Sequence, residues 1–239
     1  MFAIANQCSM QIESTPPLTA TATRWLAYLR IKSKNFSFIV WVFYVIICKN
    51  KGKKKMAGKL KSIAVYCGHQ MGDDPQFKRD ARAVGRMLAK NGIRMVFGGG
   101  DVGLMGTVAT AALDNGGDVI GVSTDNVIAM QEPAHDSISV QVVDGVNERK
   151  QIMFNESDAF IILPGGIGTL NELTDIMTMQ QIGETDKPLF FLNTNGFWNP
   201  LARLIRHMKK HGFMVANMDV YNMHTADTVA ELKKQILKY

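Results

Sequence analysis

The sequence contains few cysteines, and their positions exclude a disulfide framework. Only three occur in the 239 residues, and two of them, Cys8 and Cys48, precede residue 56. Cys67 is therefore alone in the rest of the chain, where neither an intrachain disulfide nor a cysteine-based metal site can form. This usage is typical of a reducing compartment, so we expect a cytoplasmic protein.

A basic surplus is also missing from the part of the chain that can fold. The formal net charge is +6, but residues 1–55 hold nine of the 27 Lys and Arg residues and only one of the 21 acidic residues. Residues 56–239 therefore carry a net charge of −2. This balance gives no reason to expect binding to DNA or RNA.

No apolar run is long enough for a membrane-spanning helix. The longest, Phe36–Cys48, falls short of the ~20 residues that a span requires, and lysines stand where a signal-peptide cleavage site would lie. The Lys51-Gly52 codons and the lysines before Met56 form a purine-rich tract, which is typical of a bacterial ribosome-binding site. We expect residues 1–55 to be a leader that is unstructured or reflects a misplaced start, and residues 56–239 to be one domain. A membrane anchor is the alternative, and N-terminal sequencing of the native protein separates the two.

Apolar runs alternate with helical patterns from residue 59 onward. Strands are predicted at 62–67, 94–97, 118–122, 139–143, 159–163, 188–192 and 220–224. Helices are predicted at 74–90, 104–114, 146–155, 169–182, 198–211 and 226–237, and 123–137 has no regular pattern. This alternation predicts a doubly wound α/β domain, a parallel sheet with helices on both faces. Ligands of such sheets bind beyond the carboxyl ends of the strands.

The first glycine-rich loop, residues 98–106, follows a predicted strand and opens a helix. Its glycines, including Gly99 and Gly100, allow close backbone approach to a phosphate, and free N–H groups at the helix start attract anions. The spacing also resembles a dinucleotide fingerprint, but the next strand ends in Val122-Ser123, without an acid for the NAD ribose. A turn that only packs helix against strand is the structural alternative.

The second glycine-rich loop, residues 163–172, also joins a strand to a helix. Gly166 and Gly168 can leave N–H groups uncovered, and Thr169 can donate its hydroxyl. The pattern Thr169-x-x-Glu172 has two interpretations that the sequence leaves open. Glu172 is either a catalytic carboxylate or the acidic member of a helix capping box. Arg149-Lys150 begins a helix that leads into the strand before this loop, although a solvated charged patch is the simpler interpretation of that pair.

Together these elements resemble the Lonely Guy family of cytokinin riboside 5′-monophosphate phosphoribohydrolases, whose members are often labelled lysine decarboxylases. The matching segments are, in order, 98–106, Arg149-Lys150, 164–169 with Glu172, 181–183 and Lys187-Pro188. The resemblance implies a Rossmann-like fold, a homodimer with the site near the interface, and cleavage of the N-glycosidic bond of purine or cytokinin nucleoside 5′-monophosphates. The substrate is then AMP or prenylated AMP, which reacts with water to give free base and ribose 5-phosphate.

The resemblance also implies the site residues. The family's catalytic Arg and Glu correspond to Arg149 and Glu172. Its substrate contacts correspond to Glu132, Arg149, Lys150, Gly166, Ile167, Gly168, Thr169, Leu170, Asn171, Glu172 and Thr178. This chain departs from the family at Val146, Asn171 and Met179 and near Glu132, all of which concern the pocket for the base.

Other candidate chemistry is weaker. His207 and His211 share a helix face, but no third metal ligand is evident, so we expect surface histidines and no metal site. No lysine besides Lys150 suggests a Schiff base for a pyridoxal cofactor, and we expect no cofactor. A nucleotide or cofactor carrier without turnover is the alternative to the hydrolase, and a deoxyribosyl transferase is a third, less favoured possibility.

Overall fold

The computed structural model describes residues 59–130, 138–215 and 217–239. The predicted leader, residues 1–55, and the predicted substrate contact Glu132 lie outside the described residues.

The described residues form a seven-stranded sheet in which every paired strand is parallel. The strands are β1 (Ser62–Tyr66), β2 (Arg94–Phe97), β3 (Val119–Thr124), β4 (Ser139–Val143), β5 (Ala159–Ile162), β6 (Leu189–Leu192) and β7 (Met223–Ala226). Their order is β4-β3-β2-β1-β5-β6-β7. The direction of strand order therefore reverses between β1 and β5, which is the topological switch point where doubly wound sheets bind ligands.

Helices follow most strands. They are α1 (Pro75–Lys90), α2 (Gly103–Leu113), α3 (Asp125–Met130), α4 (Val146–Asn155), α5 (Ile167–Ile182), α6 (Asn199–Lys210) and α7 (Val229–Ile236). Two 3₁₀ turns lie at Thr194–Gly196 and Met218–Val220. The predicted doubly wound α/β class is confirmed.

Both faces of the sheet are apolar. Alternate residues of each strand point to opposite faces, and each face packs against a layer of helices. In β1, Ile63 and Val65 belong to the core beneath α1, α2 and α7, whereas Ala64 and Tyr66 belong to the core beneath α4 and α5. Burial of both faces explains why the central strands have continuous apolar sequences and not alternating ones.

Several predicted positions of helices and strands were wrong, and three of these differences have local causes. Helix α3 occupies part of the segment predicted to be irregular. Strand β7 begins three residues later than predicted because the preceding residues form the Met218–Val220 turn, capped by the Asn217 side chain. Helix α7 also begins later, at Val229, because the Thr228 hydroxyl accepts a hydrogen bond from the Glu231 amide at 3.2 Å.

Within the part of the chain that the structure describes, none of the helices has the length and apolar character needed to cross a membrane.

Candidate active site

Arg149 and Glu172 meet beside the switch point of the sheet. Arg149 lies in the first turn of α4, and Glu172 lies in the second turn of α5. Their side chains form an ion pair, with Arg149 Nη1 3.2 Å from Glu172 Oε1. Both side chains are largely buried, at 9% and 11% exposure, so the pair is shielded from the solvent screening that weakens surface pairs.

The backbone fixes the position of the Arg149 guanidinium. Its Nε donates a hydrogen bond to the Val122 carbonyl at the end of β3, at 2.8 Å. The guanidinium also lies against Gly98, where an added Cβ would be only 2.2 Å from Arg149 Nη2. The absence of a side chain at Gly98 therefore provides the space that the guanidinium occupies. Two anchoring contacts in different directions suit the planar, forked guanidinium and not a lysine ammonium.

The environment of Glu172 raises its pKa. Burial disfavours the ionised carboxylate and is the largest effect, while the neighbouring Arg149 charge and its hydrogen bond act in the opposite direction. The balance raises the pKa of Glu172 from its ordinary 4.5 to about 7. A carboxyl with this pKa can both accept and release a proton near neutral pH, as general acid–base catalysis requires.

The structure excludes one of the two interpretations of the Thr169-x-x-Glu172 pattern. Helix α5 begins at Ile167, two residues earlier than predicted, and its N-cap is Gly166, without a side-chain capping hydrogen bond. Thr169 is thus inside the first turn, and Glu172 is too far along the helix to reach the cap. The carboxylate contacts Arg149 instead. The capping-box alternative is therefore wrong for this pair.

The start of α5 leaves backbone amides uncovered next to the ion pair. The first intrahelical bond is donated by Leu170 to Gly166, so the amides of Ile167, Gly168 and Thr169 precede any intrahelical acceptor. A Cβ built on Gly166 or Gly168 would meet no neighbouring atom within 4 Å. Open space and free N–H groups at the positive end of a helix dipole make a site for an anion.

Gly165 has a different task from the glycines that follow it. An added Cβ there would lie 2.2 Å from Thr169 Oγ1 and 2.9 Å from the Gly68 amide. The Gly68 amide in turn donates a hydrogen bond to the Pro164 carbonyl at 3.0 Å. The close approach of the β1 and β5 loops thus depends on glycine at this position, and Thr169 is buried against it.

The first glycine loop is used largely for packing. An added Cβ at Gly103 would lie 2.2 Å from the His69 carbonyl oxygen, and one at Gly106 would lie 2.1 Å from that of Asp101. The Met105 amide, in the first turn of α2, already donates to Gly68. Gly99 has a left-handed φ of 79° and packs on Ser123. Gly99 and the buried Gly100 remain proposed substrate contacts.

A cavity of about 350 Å³ opens beside Glu172 between α4 and α5. Lys150 lines it and pairs with Asp175 at 2.6 Å, while donating a hydrogen bond to Asn171 at 3.0 Å. Thr178 also lines it, with its hydroxyl donating to the Thr174 carbonyl. Of the residues predicted for substrate contact, Lys150, Glu172 and Thr178 line this cavity, while Arg149 and Asn171 bond to its lining residues. Leu170 differs, because its side chain packs against the core beneath α4 and α5.

The cavity includes residues that the sequence did not single out. Tyr66 lines the wall formed by β1, and its ring stacks on Phe160, which in turn stacks on Phe154. Burial and the charge of Glu172 raise the pKa of the Tyr66 hydroxyl and of the adjacent Cys67 thiol. Both groups are therefore neutral, and Cys67 is not an activated nucleophile. Because β1 and β5 flank the switch point, knowledge of the strand order would have identified Tyr66.

Lys187, in the motif Lys187-Pro188, supports the site through contacts with the end of α4. Lys187 Nζ donates to the Phe154 carbonyl at 2.6 Å and lies 4.0 Å from the centroid of the Phe154 ring. Gly183, in the fourth matching segment, ends α5 in a left-handed conformation with φ 80°. These motif residues thus hold the ends of α4 and α5, the two helices that carry the ion pair.

Metal chemistry has little support among the described residues. No group of three or more His, Cys, Asp or Glu side chains there could hold a metal ion. The rings of His207 and His211 do lie together on α6, with centroids 4.5 Å apart, but as a pair alone.

Comparison with known proteins agrees with this geometry. The model of the family described as "Possible lysine decarboxylase" matches residues 105–236. The chain is 41% identical over 155 residues to the cytokinin riboside 5′-monophosphate phosphoribohydrolase of Rhodococcoides fascians, covering 64% of this chain and 78% of that protein. It is 37% identical over 182 residues to a probable enzyme of the same name from Oryza sativa subsp. japonica, covering 76% and 81%.

Among solved structures, the molybdenum cofactor binding protein of Rippkaea orientalis has a similar fold. Its TM-score is 0.54 at 22% sequence identity, and the match covers 74% of this chain and 95% of that protein. At this identity the similarity concerns the fold alone.

Proposed function

Since the chain belongs to the Lonely Guy family of cytokinin riboside 5′-monophosphate phosphoribohydrolases, we propose that it hydrolyses the N-glycosidic bond of purine or cytokinin nucleoside 5′-monophosphates. The products are the free base and ribose 5-phosphate. One observation carries this proposal more than any other. A buried carboxylate with a raised pKa is held by a buried arginine next to the uncovered amides of a helix start.

The proposed catalytic step uses Glu172 as the base. Cleavage builds positive charge on the ribose, which a nearby carboxylate stabilises, as in glycoside hydrolysis. The oxygen of water bonds to C1′, and one water proton passes to Glu172. The electron pair of the C1′–N bond leaves with the base, which takes up a proton from solvent. Glu172 then releases its proton and is ready for the next turnover.

Arg149 would position the carboxylate. Its contact with the Val122 carbonyl orients the guanidinium independently of the substrate. Its positive charge also opposes the effect of burial on the pKa of Glu172, so part of the population stays ionised at neutral pH. We therefore assign Arg149 to the ribose side of the site, where it also helps to neutralise the substrate phosphate.

The 5′-phosphate would bind at the start of α5. The loop from Gly166 to Thr169 offers free N–H groups, and the helix dipole favours a negative charge there. Lys150, at the cavity rim, adds a cation within the same region. The base would then lie in the cavity, whose apolar part is formed by Phe154, Ile176 and Met179.

The decisive experiment is a product assay with AMP and prenylated AMP. Purified protein is expected to release free base and ribose 5-phosphate, both detectable by chromatography. Glu172→Gln should lower the turnover rate by about 10²–10⁴, the usual size of general-base assistance. Tight binding of AMP without products would instead identify a binding protein without turnover.

The chain supplies a matched control for Glu172. Thr228-x-x-Glu231 repeats the Thr169-x-x-Glu172 pattern, but here the motif does cap a helix, with the Glu231 carboxylate accepting from the Asp227 amide at 3.0 Å. Glu231→Gln should therefore leave turnover unchanged. Equal loss of activity in the two variants would show that Glu172 acts through folding and not through chemistry.

We further propose that the protein acts as a homodimer in the cytoplasm. Val146, Ile167 and Ile182 expose 50%, 82% and 61% of their surface around the site, which a second protomer would cover. Cys67 is a free thiol, consistent with a reducing compartment.

A further inference from the structure

A second and larger cavity lies between α1 and α2, in the helix layer on the opposite face of the sheet from α4 and α5. Its volume is about 550 Å³, within the range of small-molecule sites. It shares no lining residue with the cavity beside Glu172. We call it the α1–α2 groove.

Close packing of the two helices shapes this groove. Gly85 of α1 lies so near α2 that an added Cβ would be 2.2 Å from the Val108 carbonyl oxygen and 3.1 Å from the Ala111 Cβ. Small residues thus form the floor, while longer side chains rise on either side. The close packing of α1 against α2 therefore fixes the position of the two walls of the groove.

One wall is basic. Lys78, Arg82 and Arg86 follow each other at four-residue intervals on one face of α1, and all three are exposed and line the groove. None of them forms an ion pair or a hydrogen bond with any residue in the described ranges. Neighbouring Arg79, on another face, does donate to Gln76 at 2.8 Å.

Such a row of like charges is unfavourable for the isolated helix. Cations four residues apart repel each other, and an anion bound among them relieves the repulsion. The row spans eight residues, or about 12 Å of helix. That length exceeds a single phosphate group and matches a chain of two or three.

The other wall supplies hydrogen-bond acceptors and hydroxyls. It contains Asp101 and Asp114 near the two ends of α2, with Thr107 between them. Carboxylates there would repel a bare polyanion but would accept hydrogen bonds from ribose hydroxyls or a base amino group. The two walls together therefore fit a ligand that is anionic on one side and a hydrogen-bond donor on the other.

We propose that the α1–α2 groove is a second nucleotide site, which binds a nucleoside di- or triphosphate. The phosphates lie along Lys78, Arg82 and Arg86, and the nucleoside faces α2. This site is separate from the proposed monophosphate site, so the inference does not depend on the proposed hydrolysis.

Calorimetric titration of the full chain with ATP tests the site directly. Arg82→Glu/Arg86→Glu should weaken ATP binding at least tenfold, because two charge-assisted contacts become repulsive. Arg79→Glu, on the same helix but outside the groove, and Arg149→Ala, in the proposed active site, should bind ATP as the parent does. Turnover of AMP by the groove variant should equal that of the parent.

Two further titrations complete the test. Tripolyphosphate should bind more weakly than ATP, since it has nothing to offer the α2 wall. Arg82→Gln/Arg86→Gln, with circular dichroism, replaces the charge reversal if that variant does not fold. Absence of ATP binding to the parent at millimolar concentration, equal ATP affinity in the groove variant, or tripolyphosphate binding as tight as ATP would overturn the proposal.

Discussion

At the scale of single residues, the properties of Glu172 come from its surroundings and not from its sequence motif. Thr169-x-x-Glu172 and Thr228-x-x-Glu231 have the same pattern, yet only the second is a helix cap. In the first, Gly166 takes the cap position, so Glu172 is carried one turn further and meets Arg149. Local sequence could not separate the two cases, because the partner comes from a helix 23 residues away in the chain.

The raised pKa of Glu172 predicts a pH-dependent reaction. Only the ionised carboxylate accepts a proton from water, so kcat/KM for AMP should fall about tenfold per pH unit below about pH 7, the pKa of the folded protein. The profile is measured by product release between pH 5 and 9, values chosen as roughly two units either side of that pKa. A profile that is flat across this range would exclude Glu172 as the base.

Protonation of Glu172 also makes the free energy of unfolding depend on pH. Because the folded protein holds the proton up to about pH 7 and the unfolded chain only to about 4.5, the folded state binds more protons between these values. The contribution of Glu172 to the free energy of unfolding should therefore be fully present below pH 4.5 and decrease as the pH rises to 7. Urea unfolding at several pH values, compared with Glu172→Gln, checks this; a difference that grows with pH would contradict it.

A substitution at Gly98 should affect catalysis although this residue does not contact the reacting atoms. A methyl group at Gly98 would lie 2.2 Å from Arg149 Nη2 and 3.0 Å from Met105 Sδ, so Gly98→Ala should displace the guanidinium and lower kcat at least tenfold. Gly145→Ala, at the N-cap of the same helix and with open space around it, is the matched control. Equal turnover in both variants would argue against Arg149 as a positioning residue.

At the scale of helices and strands, the sequence predicted most of the fold, because alternating apolar runs and helix stop signals are local features. Strands β2 and β4 and helix α4 have their predicted bounds. The errors occur where a tertiary contact or a cap determines the first residue of the element, as at β7 and α7. Helix α3 was missed because its six residues are too few to show helical periodicity.

The sequence also predicted part of the candidate active site. The glycine loops and the Arg149–Glu172 pair were identified from motifs, and the structure brings that pair together. The strand order that places Tyr66 beside them is not written in any local pattern. Nor does the sequence distinguish the packing glycines, Gly103 and Gly165, from Gly166 and Gly168, which face open space.

This distinction between glycines predicts opposite effects within one loop. Gly165→Ala should lower the melting temperature and the turnover rate, because its methyl group would collide with Thr169 and the Gly68 backbone. Gly168→Ala, in the first turn of α5 with open space around it, should keep or slightly raise the melting temperature, since alanine favours helix by roughly 0.5–1 kcal/mol. Thermal unfolding of both variants is the measurement. Similar destabilisation of the two would refute the assignment of Gly168 to open space.

At the scale of the whole molecule, the two faces of the sheet have separate uses. The α4–α5 layer carries the ion pair and its cavity, and the α1–α2 layer carries the groove. The first glycine loop contacts both sites, since Gly98 lies next to Arg149 and Asp101 lines the groove.

The exposed apolar residues around the site predict the oligomeric state. Multi-angle light scattering should give twice the mass of the chain, because a second protomer would cover the exposed apolar side chains of Val146, Ile167 and Ile182. Ile182→Asp should shift the equilibrium toward monomer. A parent protein that is monomeric at all concentrations would contradict the homodimer.

A crystal structure of the Glu172→Gln variant with AMP would show whether the start of α5 binds the phosphate while residue 172 faces the sugar. We expect the 5′-phosphate to lie within hydrogen-bonding distance of the Gly168 and Thr169 amides and the side chain at position 172 to be directed at C1′. A phosphate bound elsewhere, or a residue 172 side chain turned away from the ribose, would contradict it.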